Sequence, residues 1–276
     1  MKHLGALSAW LSTTCEQITM EAIDIAILEA AGRQREAGGL RPTDIHGIVQ
    51  KLVTGQISQV MSQSPPELRF LPIIHLESGA FIAHEAVVHC EPSMDDMSRR
   101  RVGGAAVLRS DLELGVLRAT MQELEHLNDA TFVCFDISHQ LLADSRLDQL
   151  IAEFGGDRLV LEINAKTPEA DFASLRIDLD RLRRRGIRVA INDIGVGTVG
   201  LERIGAFEPE IIKIDVSANQ RLGRDAARRE QVSEAVQFAR QHGAFVIAEG
   251  IESSEQITVA QDLGVDAGQG ILLGMS

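Results

Sequence analysis

The chain has 276 residues and a formal net charge of −13, which speaks against a chain-wide surface for nucleic acid or anionic membrane because phosphate would be repelled. Its 45% hydrophobic residues are enough to bury a sizeable core, and its length suits one barrel-sized domain or two smaller ones. The cysteines Cys15, Cys90 and Cys134 are widely spaced and form no CxxC pair, so neither a zinc site nor a disulfide framework is expected and a cytoplasmic location suits them.

In chain order, the mildly apolar stretch Leu4–Leu11 follows Lys2 but lacks the basic cluster and cleavage site of an export signal, and no segment is apolar enough to span a bilayer. Residues 1–40 read as an N-terminal helical extension. Ile18, Ile23, Ile25, Ala26, Leu28 and Ala31 form a helical stripe over 16–35 that ends at Gly38-Gly39. Residues 41–276 read as the main domain. A helix from Thr43 or Asp44 carries Ile45, Ile48, Val49 and Leu52, and Pro65-Pro66 ends helical structure.

Short β-rich runs then alternate with amphipathic stretches, the pattern of parallel βα units. Strands are expected at Arg69–Leu76, Ala80–His89, Thr131–Ser138, Leu159–Ile163, Ile187–Asp193, Glu210–Asp215, Ala244–Glu249 and near Gly268–Leu273. Helices are expected at Leu112–Leu127, Leu142–Phe154, Pro168–Arg184, Ala226–Arg240 and Ser254–Leu263. Only Glu77-Ser78-Gly79 separates the first two strands, so they form an antiparallel hairpin. The fold class is α/β: a (β/α)8 TIM-type barrel with its first strand pair antiparallel, plus the helical extension. A doubly wound open sheet fits less well, because no GxGxxG turn accompanies the strands.

Polar residues gather at the strand ends: Glu85, Asp136, Glu162, Asn192, Asp193, Lys213, Asp215, Glu249 and Gln269. Any one of the acids could cap a helix or pair with an arginine. Converging on one barrel face, they would repel one another and raise each other's pKa, and a hard divalent cation such as Mg²⁺ or Mn²⁺ would relieve that repulsion. Adjacent acids can serve two ions. Here the adjacent pair is Asn192-Asp193, so one charge is missing.

The motifs carry a family resemblance. Phe70-Leu71-Pro72-Ile73 is similar to YQPI, Glu85-Ala86-Val87 to EAL, Leu161-Glu162-Ile163 to LEI, Asn192-Asp193-Ile194-Gly195-Val196-Gly197 to DDFGTG, Lys213-Ile214-Asp215 to KID, Ala248-Glu249-Gly250-Ile251-Glu252 to AEGVE, and Gln269-Gly270 to QG. In this order they resemble the EAL domain family of barrel proteins that hydrolyse or sense cyclic di-GMP, over roughly residues 66–274. The resemblance implies metal positions at Glu85, Asp136, Glu162, Asn192 and Asp193, with Lys213 and Glu249 acting on the attacking water. It implies ligand contacts from Glu85, His89 and Gln269, and opening of the cyclic dinucleotide to linear pGpG.

The departures point to a degenerate site. Asp136 stands where the family has Asn, and Asn192 where it has Asp. Ala165, Ile194 and Val196 alter the loop after the fifth strand and its brace, Leu71 replaces Gln, and His89 replaces Arg. An amide bridges two cations poorly, and one lost electrostatic contact lowers a rate by about 10²–10³. The expectation is a catalytically weak or inactive regulatory or protein-interaction module in cyclic di-GMP signalling, with cyclic di-GMP itself and a protein as candidate partners. The alternative is an active Mg/Mn-dependent phosphodiesterase. The sequence ends just past the eighth strand, so the family's last helix is expected to be missing, with residues 16–35 covering that seam or making a homodimer.

Other signals read as structural. Arg183-Arg184-Arg185 ends a helix, His75 and His84 lack carboxylate partners at ligand spacing, and Ser138 and Ser217 have no catalytic His/Asp arrangement in sequence. Arg99-Arg100-Arg101 reads as a solvated loop, with phosphate pairing as its functional alternative.

Overall fold

The computed structural model describes residues 67–89, 106–127, 130–164, 172–192, 205, 207–217, 222 and 225–274. The expected helices over 16–35 and from Thr43, and the Arg99–Arg101 cluster, lie outside the described residues. The chain divides into two compact units, Met1–Leu68 with Val87–Ala119, and Arg69–Ala86 with Thr120–Ser276. Most of helix α1 (Ala106–Leu124) belongs to the first unit, where Leu112, Val116 and Leu117 are buried at the spacing of one helix face.

Eight strands close into a barrel in sequence order. They are β1 (Glu67–His75), β2 (Phe81–His89), β3 (Phe132–Asp136), β4 (Leu159–Asn164), β5 (Arg188–Asn192), β6 (Ile211–Asp215), β7 (Phe245–Glu249) and β8 (Ala267–Gln269). Neighbours from β2 to β8 pair in parallel, whereas β1 pairs with β8 antiparallel through Ile74 and Gly268. The β1–β2 hairpin closes as expected: Gly79 N donates to His75 O at 2.9 Å and His75 N to Ala80 O at 2.8 Å.

Two expected elements are corrected. The run Gly268–Leu273 is strand only to Gln269, and Ile271–Leu273 forms a 3₁₀ turn. The backbone turns here because Gln269 O and Leu272 N both bond Ile251, at 3.0 and 3.2 Å, leaving no room for a Cβ on Gly270. The single helix expected over Leu142–Phe154 is two, α2 (His139–Leu142) and α3 (Ser145–Phe154). Ser138 caps the first, and Asp144, in extended conformation, caps the second by accepting from Arg146 N at 2.9 Å. The remaining helices, α4 (Phe172–Arg183), α5 (Ala226–Gln241) and α6 (Ser254–Asp262), match their expected spans within a few residues.

The barrel interior starts with a layer drawn once from every strand: Ile73, Ala83, Cys134, Val160, Ala190, Ile211, Ile247 and Ala267. Large and small side chains together fill the closed cylinder. At the strands' N-terminal ends, Arg158 donates to Thr131 O and Leu124 O at 2.9 and 3.0 Å, closing the end of α1. Arg183 is structural as expected, donating to Glu210 Oε1 at 2.8 Å and Phe207 O at 2.6 Å.

Candidate metal centre

Side chains two residues apart on a strand share a face. Two residues beyond the apolar layer, toward the C-terminal ends of the parallel strands, the inner positions are Glu85, Asp136, Glu162, Asn192, Lys213, Glu249 and Gln269. On antiparallel β1 the corresponding position lies two residues back, at Leu71. The site is therefore the second storey of the core, polar on seven strands and apolar on one.

Lys213 is its hub. The fully buried ammonium lies 2.7 Å from Glu162 Oε1, 2.7 Å from Glu249 Oε1 and 3.2 Å from Glu85 Oε2. Asn192 Nδ2 donates to Asp136 Oδ1 at 2.6 Å and to Glu162 Oε2 at 3.3 Å. Gln269 Nε2 donates to Glu85 Oε2 and, at 3.3 Å, to Glu249 Oε1.

One ammonium does not balance four carboxylates. Burial, reinforced by Glu162 and Glu85, drives the Asp136 carboxyl well above its ordinary range. Burial also lifts Glu162 to about 7 despite Lys213, and it raises Glu249. Burial alone would lower the Lys213 pKa, but Glu162, Glu249 and Glu85 outweigh it and hold the ammonium charged. Below them, burial pushes the Cys134 thiol up, so it stays neutral.

These residues suit a hard divalent cation. Glu85, Asp136 and Glu162 each offer an oxygen within 4.8 Å of the others. Asn192 Oδ1 and Gln269 Oε1 are buried without a hydrogen-bond partner. Anionic and neutral oxygens in one pocket are the donor set that Mg²⁺ and Mn²⁺ prefer.

Seven expected site residues thus meet in one network. Asp193 lies outside the described residues, as do Ala165, Ile194 and Val196, and so does the side chain of His89, the last residue of β2. Asp215 Oδ1 accepts from Ser217 N at 2.9 Å and so shapes the turn after β6. Ser138 is a helix cap, and His84, on the face opposite Glu85, packs edge-on to Phe70 and Phe81. His75 bonds Ser78 within the hairpin at 3.0 Å.

Gln256 was not expected. It completes a capping box with Ser253, and its Nε2 donates to Val216 O at 2.7 Å, tying α6 to the turn after β6. Its sequence signal was the Ser-x-x-Gln spacing that opens α6.

A 125-residue stretch is 33% identical to the cyclic di-GMP phosphodiesterase PdeL of Escherichia coli, covering 45% of this chain and 34% of that protein. A 138-residue stretch is 28% identical to the bifunctional diguanylate cyclase/cyclic di-GMP phosphodiesterase MucR of Pseudomonas aeruginosa, covering 50% of this chain and 20% of that one. The chain thus matches about a third or less of these relatives' lengths. Among solved structures, the EAL domain of Mycobacterium smegmatis DcpA superposes with a TM-score of 0.62 at 25% identity, covering 75% of this chain and 88% of that one. The Bacillus subtilis YkuI protein, solved with cyclic di-GMP and calcium, superposes at 0.66 with 20% identity, covering 79% of this chain and 57% of that one, a likeness of fold. The EAL domain model matches residues 55–276, and the chain belongs to the EAL domain family.

Proposed function

We propose that this EAL domain is a regulatory module that binds cyclic di-GMP with Mg²⁺ or Mn²⁺ and hydrolyses it weakly. The observation that carries the reading is Asn192, an amide held between Asp136 and Glu162 at a position where the family resemblance implies a carboxylate. An amide oxygen carries no net charge and bridges two cations poorly, so in-line displacement at phosphorus loses charge stabilisation. Leu71 adds to the reading: it puts an apolar, buried side chain in a layer that is otherwise polar.

Within this module Glu85, Asp136 and Glu162 would hold the cation, with Asn192 and Gln269 adding neutral oxygens and Asp193 a further candidate ligand. A bound cation supplies Lewis-acid activation of water and neutralises phosphate charge. Lys213 pairs with Glu162 and Glu249 and so would fix their orientations, and Glu249 would take a proton from water. His89 is a candidate ligand contact at the end of β2.

The alternative is an efficient phosphodiesterase. It is favoured by the intact contact of Lys213 with Glu85, Glu162 and Glu249, which leaves the proton-handling half of the site assembled. Calorimetric titration with cyclic di-GMP, with and without Mg²⁺ or Mn²⁺, followed by chromatography of the products, separates the readings. Metal-dependent binding with slow appearance of linear dinucleotide is expected. Rapid product formation, abolished by Glu85→Ala, would establish the alternative, and neither binding nor turnover would leave a protein-interaction scaffold.

A further inference from the structure

We infer that a cleft at the N-terminal end of the barrel receives an arginine side chain from a basic segment of a partner protein. The cleft lies wholly within the unit formed by Arg69–Ala86 and Thr120–Ser276, at the other end of the strands from the Lys213 network. Its occupant is independent of cyclic di-GMP and of metal.

The cleft is built from two helix ends. Helix α1 stops at Leu124, where Arg158 holds it: Nη1 donates to Leu124 O at 3.0 Å and Nε to Thr131 O at 2.9 Å. Helix α3 stops at Phe154, because Gly155 takes φ 85°, which glycine enters at little steric cost. The short link 155–158 then leads into β4. Both helix ends therefore meet beside Leu159, the first residue of β4, and leave a cleft of about 190 Å³. Pockets for small-molecule ligands hold roughly 300–1,000 Å³, so this one suits a single long side chain and not a nucleotide.

Its lining is apolar within and acidic at the edge. Met121, Leu124 and Leu159 are buried and Phe154 is half-buried, whereas Glu125 and Asp157 are exposed. Among the described residues neither acid makes an ion pair. The cleft's own cation is Arg158, whose Nε, Nη1 and Nη2 donate to the carbonyls of Thr131, Leu124 and Leu127.

The helix ends add charge of the same sign. A helix C-terminus carries partial negative charge and is stabilised by a nearby cation. Neither α1 nor α3 has a basic residue in its last turn, and Glu123 and Glu125 flank the end of α1 instead. An apolar cavity, two carboxylates and two negative helix ends together complement an apolar stem with a cationic tip. Arginine uses these groups better than lysine does, because its planar guanidinium pairs with carboxylates through separate N–H groups and stacks on aromatic rings such as that of Phe154. The occupant is a basic segment because exposed ion pairs are individually weak, and the net charge of −13 attracts further basic residues around the inserted one.

The test uses the full chain with isotope-labelled methionine methyls, read by nuclear magnetic resonance, and N-acetylarginine amide as the probe. The Met121 methyl, assigned through Met121→Leu, should shift saturably as the probe is added. N-acetyllysine amide should bind at least about threefold more weakly. The neutral isostere N-acetylcitrulline amide should leave the methyl where it is. Glu125→Gln and Asp157→Asn should each weaken binding by about threefold, and together by about tenfold. High salt should weaken it as well. A capped peptide with arginine between two lysines should bind more tightly than the amide, and citrulline in place of that arginine should abolish the Met121 shift. A methyl indifferent to the arginine probe, equal binding of the citrulline amide, or full affinity in the double variant would overturn the inference. Equal binding of lysine would overturn arginine as the occupant. A Met121 shift produced by raising protein concentration alone would give the cleft to a second copy and overturn a separate partner. Thermal melts check that the variants fold; should the double variant fail to do so, the comparison of arginine with citrulline on the parent chain decides.

Discussion

Asn192 Nδ2 and Asp136 Oδ1 meet at 2.6 Å across the inner face of the barrel. The two positions at which the chain departs from the EAL motifs in opposite senses are therefore one contact. The carboxylate expected at 192 has moved by about a hydrogen-bond length rather than vanished. On the proposed reading one ion would still be held, while the ability to share a carboxylate between two would be reduced. Asn192→Asp should accordingly raise the rate of cyclic di-GMP opening by about 10²-fold, the scale of one electrostatic contact to the transition state. Chromatographic assay of linear product over time measures it. No gain would put the proposed catalytic deficit elsewhere, with Leu71 the first candidate.

Lys213 should be a stability residue whatever part it has in chemistry. Replacing it with Met keeps the stem but strips Glu85, Glu162 and Glu249 of their common counter-ion in a fully buried setting. Breaking a buried ion cluster from one side costs about 3–5 kcal/mol. Urea unfolding in EDTA should show that loss, and adding Glu162→Gln to Lys213→Met should recover part of it by removing one orphaned charge. A Lys213→Met protein as stable as the parent would mean the carboxylates have other partners.

The raised acid pKa values predict a pH dependence. Glu162 titrates at about 7 in the folded chain, against the ordinary value of 4.5 that holds in the unfolded chain. Between these values the folded state keeps a proton that the unfolded state has lost, so metal-free stability falls as pH rises through this window. Asp136 and Glu249, also raised mainly by burial, act in the same direction. Divalent metal needs the carboxylates ionised, so its binding releases protons and tightens as pH rises through about 7. Melting in EDTA at pH 5.5 and 8, repeated with Mn²⁺, should show opposite trends. Parallel trends would refute a metal held by these acids.

Most of the barrel was legible because strand and helix periods differ and the strand ends are marked by polar residues. Glu85, Asp136, Glu162, Asn192, Lys213, Glu249 and Gln269 could be named from spacing and motif order. What spacing could not supply was their partners, since hydrogen bonds between β3 and β5 depend on barrel closure rather than on neighbours in sequence. Nor could it show that Asp215, another strand-end acid, accepts from Ser217 N. The end of β8 misled for a local reason: Ile271-Leu272-Leu273 reads as strand by composition, yet Ile271 and Leu272 are exposed in a 3₁₀ turn because Ile251 draws the backbone aside.

The glycine after Glu249 should matter through backbone geometry. Gly250 has φ 78°, and a Cβ there would lie 2.9 Å from Ser217 Cβ and 3.2 Å from Ser217 N. An alanine there bears the cost of the left-handed conformation, about 1–2 kcal/mol, and must also push back the turn that Asp215 shapes. That turn is anchored on its other side, where Val216 N donates to Glu249 O at 2.8 Å and Val216 O accepts from Gln256. The turn therefore cannot retreat without straining the backbone that presents Glu249. Gly250→Ala should lower the melting temperature by about 2–8 °C, given roughly 2–4 °C per kcal/mol for a domain of this size. Ser217→Gly in the same chain should restore only part of it, because it removes the Cβ contact but neither the backbone contact nor the positive φ. Full restoration would show that side-chain crowding alone, and not backbone conformation, demands glycine at 250.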